Sequence, residues 1–120
     1  MNILCFGDSN TWGYKPDKTG RFDENTRWTA LLQKKLGPEY HIIEEGLCGR
    51  TTVFQDELRE SRRGLDMIGV TVEMHNPLDL VIIMLGTNDC KTRYGASASV
   101  IARGCLLYTS DAADDLIGVD

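Results

Sequence analysis

Three times along this chain a short apolar run stops at a glycine and gives way to small polar residues. Ile3-Leu4-Cys5-Phe6 leads into Gly7-Asp8-Ser9-Asn10-Thr11, Tyr40 to Glu45 into Gly46-Leu47-Cys48-Gly49, and Leu78 to Leu85 into Gly86-Thr87-Asn88-Asp89. Such runs, bounded by turn residues, read as short strands buried on both faces. Helical text lies between them. Arg27 to about Leu36 carries Trp28, Leu31, Leu32 and Leu36 on one side, with Asn25 or Thr26 as its cap and Gly37-Pro38 as its stop. Asp56 to Met74 gives mixed helical signals broken at Gly64 and Gly69, and a further helix starts over Ser97 to Gly104. The order β-α-β-α-β-α predicts a parallel sheet with right-handed crossovers. The expected fold class is therefore α/β. The nearly continuous apolar text DLVIIML suits the middle of that sheet.

In an open parallel sheet, ligands bind beyond the carboxyl ends of the strands. Ser9, Gly49 and Asn88 are therefore expected to converge on one edge. Taken singly, each is bland: Asp-Ser-Asn-Thr is ordinary turn and helix-cap text, and Asn88 an ordinary turn residue. Together they fit acyl transfer, which needs an attacking oxygen and donors aimed at the oxyanion that develops on the carbonyl. Ser9 supplies the oxygen. The backbone N–H of Ser9, the N–H of Gly49 and the side-chain amide of Asn88 supply the donors. A glycine at 49 lets its backbone approach a substrate closely. The segment from Tyr14 to Asn25, rich in charge, Gly and Pro, reads as a loop over that edge.

At 120 residues the chain is one domain at most. Its apolar runs are too short to span a bilayer, and Met1 leads straight into the first strand without a leader, so a cytoplasmic location is expected. Four cysteines without a Cys-x-x-Cys pair point to reduced thiols and no metal site. No cofactor is expected. From Cys105 the text changes: CLLYTSDAADDLIGVD holds four aspartates and no base. Cys105 to Asp115 resembles the conceptual translation of a transposon-end adapter used in DNA sequencing libraries. The expected organisation is thus a native part over 1–104 and a non-native tail over 105–120. With the tail's four acids set aside, 14 of the 18 acidic residues face 13 basic ones, a net charge of about −1. That balance says nothing about partners; since the chain also lacks a basic patch, no nucleic-acid partner is expected. The expected partner is a small-molecule ester, with no membrane contact, and a homo-oligomeric full-length parent stays open.

FGDSNTWG, EEGLCGRTT and PLDLVIIMLGTND resemble the first three blocks of the SGNH (GDSL-type) hydrolases, in particular their arylesterase and acyltransferase branch. The resemblance covers residues 1–104, roughly half a usual family domain, and so implies a three-layer α/β/α flavodoxin-like parallel sheet truncated to about its first three strands. It implies Ser9 as nucleophile, with Gly49 and Asn88 completing the oxyanion hole. It also implies Asp8 as a turn-forming neighbour, and Trp12 with the 14–25 loop as a border of the acyl or alcohol channel. One block is missing: no Asp in the chain is followed three places later by His. His41 and His75 precede strands, at the amino edge, and a strand of five or six residues spans about 17–20 Å. A base must come within about 3 Å of the hydroxyl. The expectation is the front half of a serine esterase, inactive and marginally folded as written, with its third strand an open edge. Two other readings remain beside it. One is a flavodoxin-like phosphate- or nucleotide-binding module with Ser9, Asn10 and Thr11 cradling an anion, although the glycine-rich loop it needs is missing. The other is a non-catalytic interaction domain.

Overall fold

The computed structural model describes residues 1–116, with side chains through Leu107. The elements are β1 (Asn2–Gly7), α1 (Ser9–Trp12), α2 (Trp28–Leu36), β2 (His41–Gly46), α3 (Gly64–His75), β3 (Leu80–Met84) and α4 (Ala98–Leu116), with 3₁₀ turns at Asn88–Cys90 and Thr92–Tyr94. They fall into two compact units. The first comprises Met1–Cys48 and Pro77–Met84, the second Gly49–Asn76 and the chain from Leu85 onward.

The first unit holds a three-stranded sheet in the order β2-β1-β3, parallel throughout. The α/β fold expected from the alternation is present. β1 is the middle strand, and Ile3, Leu4, Cys5 and Phe6 form its buried core. The register sets Gly7 beside both Gly46 and Met84, so the three strands end level. The third strand is the open edge expected above: among the described residues β3 pairs only with β1, and Leu80 and Met84 are each 45% exposed. Burial, and then the charge of Glu44, pushes the Cys5 thiol up to about 11, which leaves it protonated and unreactive.

Local signals around α2 also differ from the sequence reading. The helix begins at Trp28, and Arg27 occupies the cap position without a side-chain cap bond. Asn25 and Thr26 belong to a turn in which the Asp23 carboxylate accepts from the Asn25 amide at 2.8 Å and the Thr26 hydroxyl at 3.0 Å. None of Trp28, Leu31, Leu32 and Leu36 is buried; the buried residue of α2 is Thr29. The reason lies in β2, which presents a carboxylate. Thr29 Oγ1 donates to Glu44 Oε2 at 2.5 Å, and Arg27 Nε lies 3.1 Å from the same oxygen. Gln33 closes the connection, donating to the carbonyls of Gly37 and Tyr40 and accepting from the Ile42 amide at 2.9 Å.

In the second unit α3 runs unbroken through Gly69 and buries Ile68, Thr71 and Val72. It packs against α4. α4 does not stop at Gly104 but continues to Leu116; residues 117–120 of the expected tail lie outside the described residues. Gly104 is buried against the loop after Gly49: a Cβ there would lie 2.9 Å from Thr52 Oγ1 and 3.0 Å from Val53 Cγ2. Among the described residues no helix is long and apolar enough to cross a membrane.

Candidate active site

The turn beyond β1 is built by Asp8. It caps α1, its Oδ1 accepting the Asn10 amide at 3.0 Å while its carbonyl accepts the amides of Thr11 and Trp12 at 3.1 and 2.9 Å. Asp8 is buried, and Ser9, the first residue of α1, is half-buried. Among the described residues no acceptor takes the amide or hydroxyl of Ser9. The two glycines that end β1 and β2 let α1 sit directly on the strand ends. A Cβ on Gly7 would come 2.2 Å from Thr11 Oγ1, and one on Gly46 2.2 Å from the Trp12 nitrogen. Thr11, fully buried, also accepts a 3.3 Å bond from Trp28 Nε1. The helix carrying Ser9 is thus wedged between strand ends and α2.

Trp12 is half-buried, with the Arg21 guanidinium 4.8 Å above its ring and the Tyr14 ring 6.4 Å away. Arg21 Nε donates to the Trp12 carbonyl at 2.7 Å. The 14–25 loop folds back on itself through a Tyr14–Arg21 antiparallel bridge, with Lys15 N–H on Gly20 O at 2.8 Å and Phe22 N–H on Gly13 O at 2.7 Å. An aromatic wall beside the Ser9 turn is therefore held by a cation and by its own loop.

The second unit brings the other two expected residues into one assembly. Gly49 is buried at φ +84°, a conformation that favours glycine. Asn88, first in its 3₁₀ turn, donates from Nδ2 to the Arg50 carbonyl at 3.0 Å. An amide nitrogen carries two protons. One, spent on Arg50, fixes the plane of the group, and the other remains to donate. The neighbouring Asp89 is fully buried and accepts both the Thr52 amide, at 2.9 Å, and the Thr52 hydroxyl, in a short bond. Adjacent side chains thus grip the chain one and three residues beyond Gly49. Ser9 is carried by the first unit, Gly49 and Asn88 by the second.

Asp89 is a positioning residue that the sequence reading passed over; its only signal was an acid directly after Asn88 in a turn of small residues. Asp89→Ala is expected to strand two buried Thr52 donors and lower stability by about 1–3 kcal/mol. Urea unfolding of the variant checks this, and an unchanged midpoint would show the contact to be dispensable.

His41 is exposed and pairs with Asn2 at the amino end of the sheet, the far end from Ser9. His75 is the last residue of α3. Among the described residues no group of three or more His, Cys, Asp or Glu is placed to hold a metal ion.

A parallel sheet that delivers a serine at a capped turn directly beyond its middle strand defines a serine-bearing α/β protein. The chain belongs to the GDSL-like lipase/acylhydrolase family, which matches residues 5–116. Solved structures agree. A Mycobacterium smegmatis aryl esterase is 41% identical at a TM-score of 0.93, over 98% of this chain and 57% of that one. A carbohydrate acetylesterase family member from Sinorhizobium meliloti is 40% identical at a TM-score of 0.86, over 91% and 52%. The SGNH-hydrolase family esterase AlinE4 is 27% identical at a TM-score of 0.67, over 97% and 52%. The chain spans about half the length of these structures. A comparison with curated proteins finds no match.

Proposed function

We propose that the protein of which this chain forms the front part is a serine esterase, cleaving or transferring the acyl group of carboxylic esters. Ser9 Oγ attacks the carbonyl carbon. The N–H groups of Ser9 and Gly49 and the remaining Asn88 amide proton receive the negative charge that moves onto the carbonyl oxygen. The acyl group passes to Ser9 and the alcohol leaves; water or a second alcohol then takes the acyl group. Asp8 fixes the turn, and Trp12 borders the channel by which the ester reaches it.

The observation that carries this reading is the Asp8-capped Ser9 at the carboxyl end of the middle strand, in a chain of this family. Its relatives include an aryl esterase and a carbohydrate acetylesterase family member. Neither His41 nor His75 is assigned a part. The general base comes from residues outside this chain, and the 120-residue chain alone turns over esters only at background rate.

A fluorophosphonate probe applied to the intact protein is expected to leave one adduct, at Ser9, read by peptide mass. Turnover of p-nitrophenyl acetate with the adduct elsewhere would overturn the reading. The chain of residues 1–120 alone should hydrolyse that ester no faster than buffer; turnover abolished by Ser9→Ala would refute the assignment of the base to a missing segment.

A further inference from the structure

Beside Gly49 the second unit gathers several cationic side chains. The Arg59 guanidinium lies against the glycine, its Nη2 2.0 Å from where a Cβ on residue 49 would stand. Asp56, buried at 2% exposure, accepts the Leu58 amide at 2.8 Å through one oxygen and Arg93 Nη2 at 2.8 Å through the other. The Arg59 amide also bonds to this carboxylate. One buried acid therefore shapes the loop that presents Arg59 and pins Arg93. The Leu58 amide, with Arg93 adding to it, holds that acid ionised below the usual carboxylate range. The Arg93 guanidinium also lies 5.4 Å from the Tyr94 ring centre, and Tyr94 stacks on Phe54 at 5.2 Å.

Lys91 completes the group. It is half-buried, two residues beyond Asp89. Burial first, then the charges of Arg93 and Arg59, push its ammonium below the ordinary lysine range, with Asp56 opposing them. Lys91 and Arg93 both feel the Asp56 carboxylate, which is already committed to Arg93, and Arg59 adds a further positive charge near Lys91. Clustered like charges destabilise a fold unless something offsets them. A carboxylate accepts charge-assisted bonds from guanidinium and ammonium groups alike.

We infer that Arg59, Lys91 and Arg93 form an anion subsite next to the Gly49 and Asn88 donors, and that the preferred substrate is an ester carrying a second, free carboxylate. This rests on the esterase reading above. It assigns the substrate class by charge: the neutral carbonyl goes to the amide donors, the anionic group to the cations.

The test compares kcat/KM of the intact protein on mono-(4-nitrophenyl) succinate with that on neutral 4-nitrophenyl butyrate. The anionic ester is expected to be preferred about tenfold, and Lys91→Met or Arg59→Met to remove most of that preference. Raising the salt to about 0.5 M should shrink it in the parent protein. A ratio unchanged by both substitutions, or no preference in the parent, would overturn the inference while leaving the esterase reading intact. Failure of the parent to hydrolyse either ester would overturn both. Since the fold disfavours the Lys91 ammonium, Lys91→Met is expected to keep or raise the thermal midpoint, which separates lost recognition from lost folding.

Discussion

In the intact protein, Ser9→Ala is expected to cut kcat/KM for p-nitrophenyl acetate by about 10⁴-fold or more. The thermal midpoint should stay within about 2 °C, as for a substitution that removes no packed group. Both halves follow from where Ser9 stands. The cap of α1 is Asp8, not Ser9, so the helix start keeps its side-chain acceptor when the hydroxyl is removed. Within the helix alanine is the better former, by up to about half a kcal/mol over serine. No acceptor among the described residues takes the Ser9 hydroxyl, so its loss strands no buried donor. What disappears is the attacking oxygen. The donors assigned to Gly49 and Asn88 remain and can sustain a small rate over water. Steady-state kinetics beside scanning calorimetry checks this. Activity kept within tenfold would rule Ser9 out as nucleophile, and a collapse of the midpoint would make its role structural.

The parts of this arrangement that could be seen in the sequence are the local ones. Ile3 to Phe6 followed by Gly7 and Asp8 gave away a buried strand and a capped turn, because burial and capping act over neighbouring residues. Gly49 and Asn88 were visible as turn residues for the same reason. Long-range facts were not. The buried residue of α2 is Thr29 and not a leucine, because the partner strand happens to present Glu44 there. Nothing in the residues next to Asp89 or Asp56 marks either as buried. Each meets a donor 37 residues away in the chain, Thr52 in one case and Arg93 in the other. Gly69 read as a helix breaker, but its cost of about 1 kcal/mol relative to alanine is small beside the burial of Ile68 and Val72 on the same helix.

The glycines show the same division between local and long-range causes, and they allow a sharp test. Gly46→Ala is expected to lower stability by about 3–5 kcal/mol, although residue 46 lies outside the positive-φ region in which alanine is strained. The cost is steric. The new Cβ would stand 2.2 Å from the Trp12 nitrogen, 2.7 Å from the Thr11 carbonyl carbon and 2.7 Å from the Trp12 Cα. These are backbone atoms, which no rotamer change can move aside. Relief requires lifting α1, and α1 is held by the Asp8 cap, by Arg21 on the Trp12 carbonyl and by Trp28 on Thr11. Gly95→Ala is the control: at φ +56° with nothing within 4 Å, it meets backbone strain alone, about 1–2 kcal/mol. Urea unfolding of the two variants should therefore separate them clearly, or Gly46→Ala should abolish the far-ultraviolet signal from the outset. Equal costs would mean that α1 does not rest on the end of β2. In the intact protein the same substitution should also depress ester turnover, because the helix it displaces is the one that begins with Ser9.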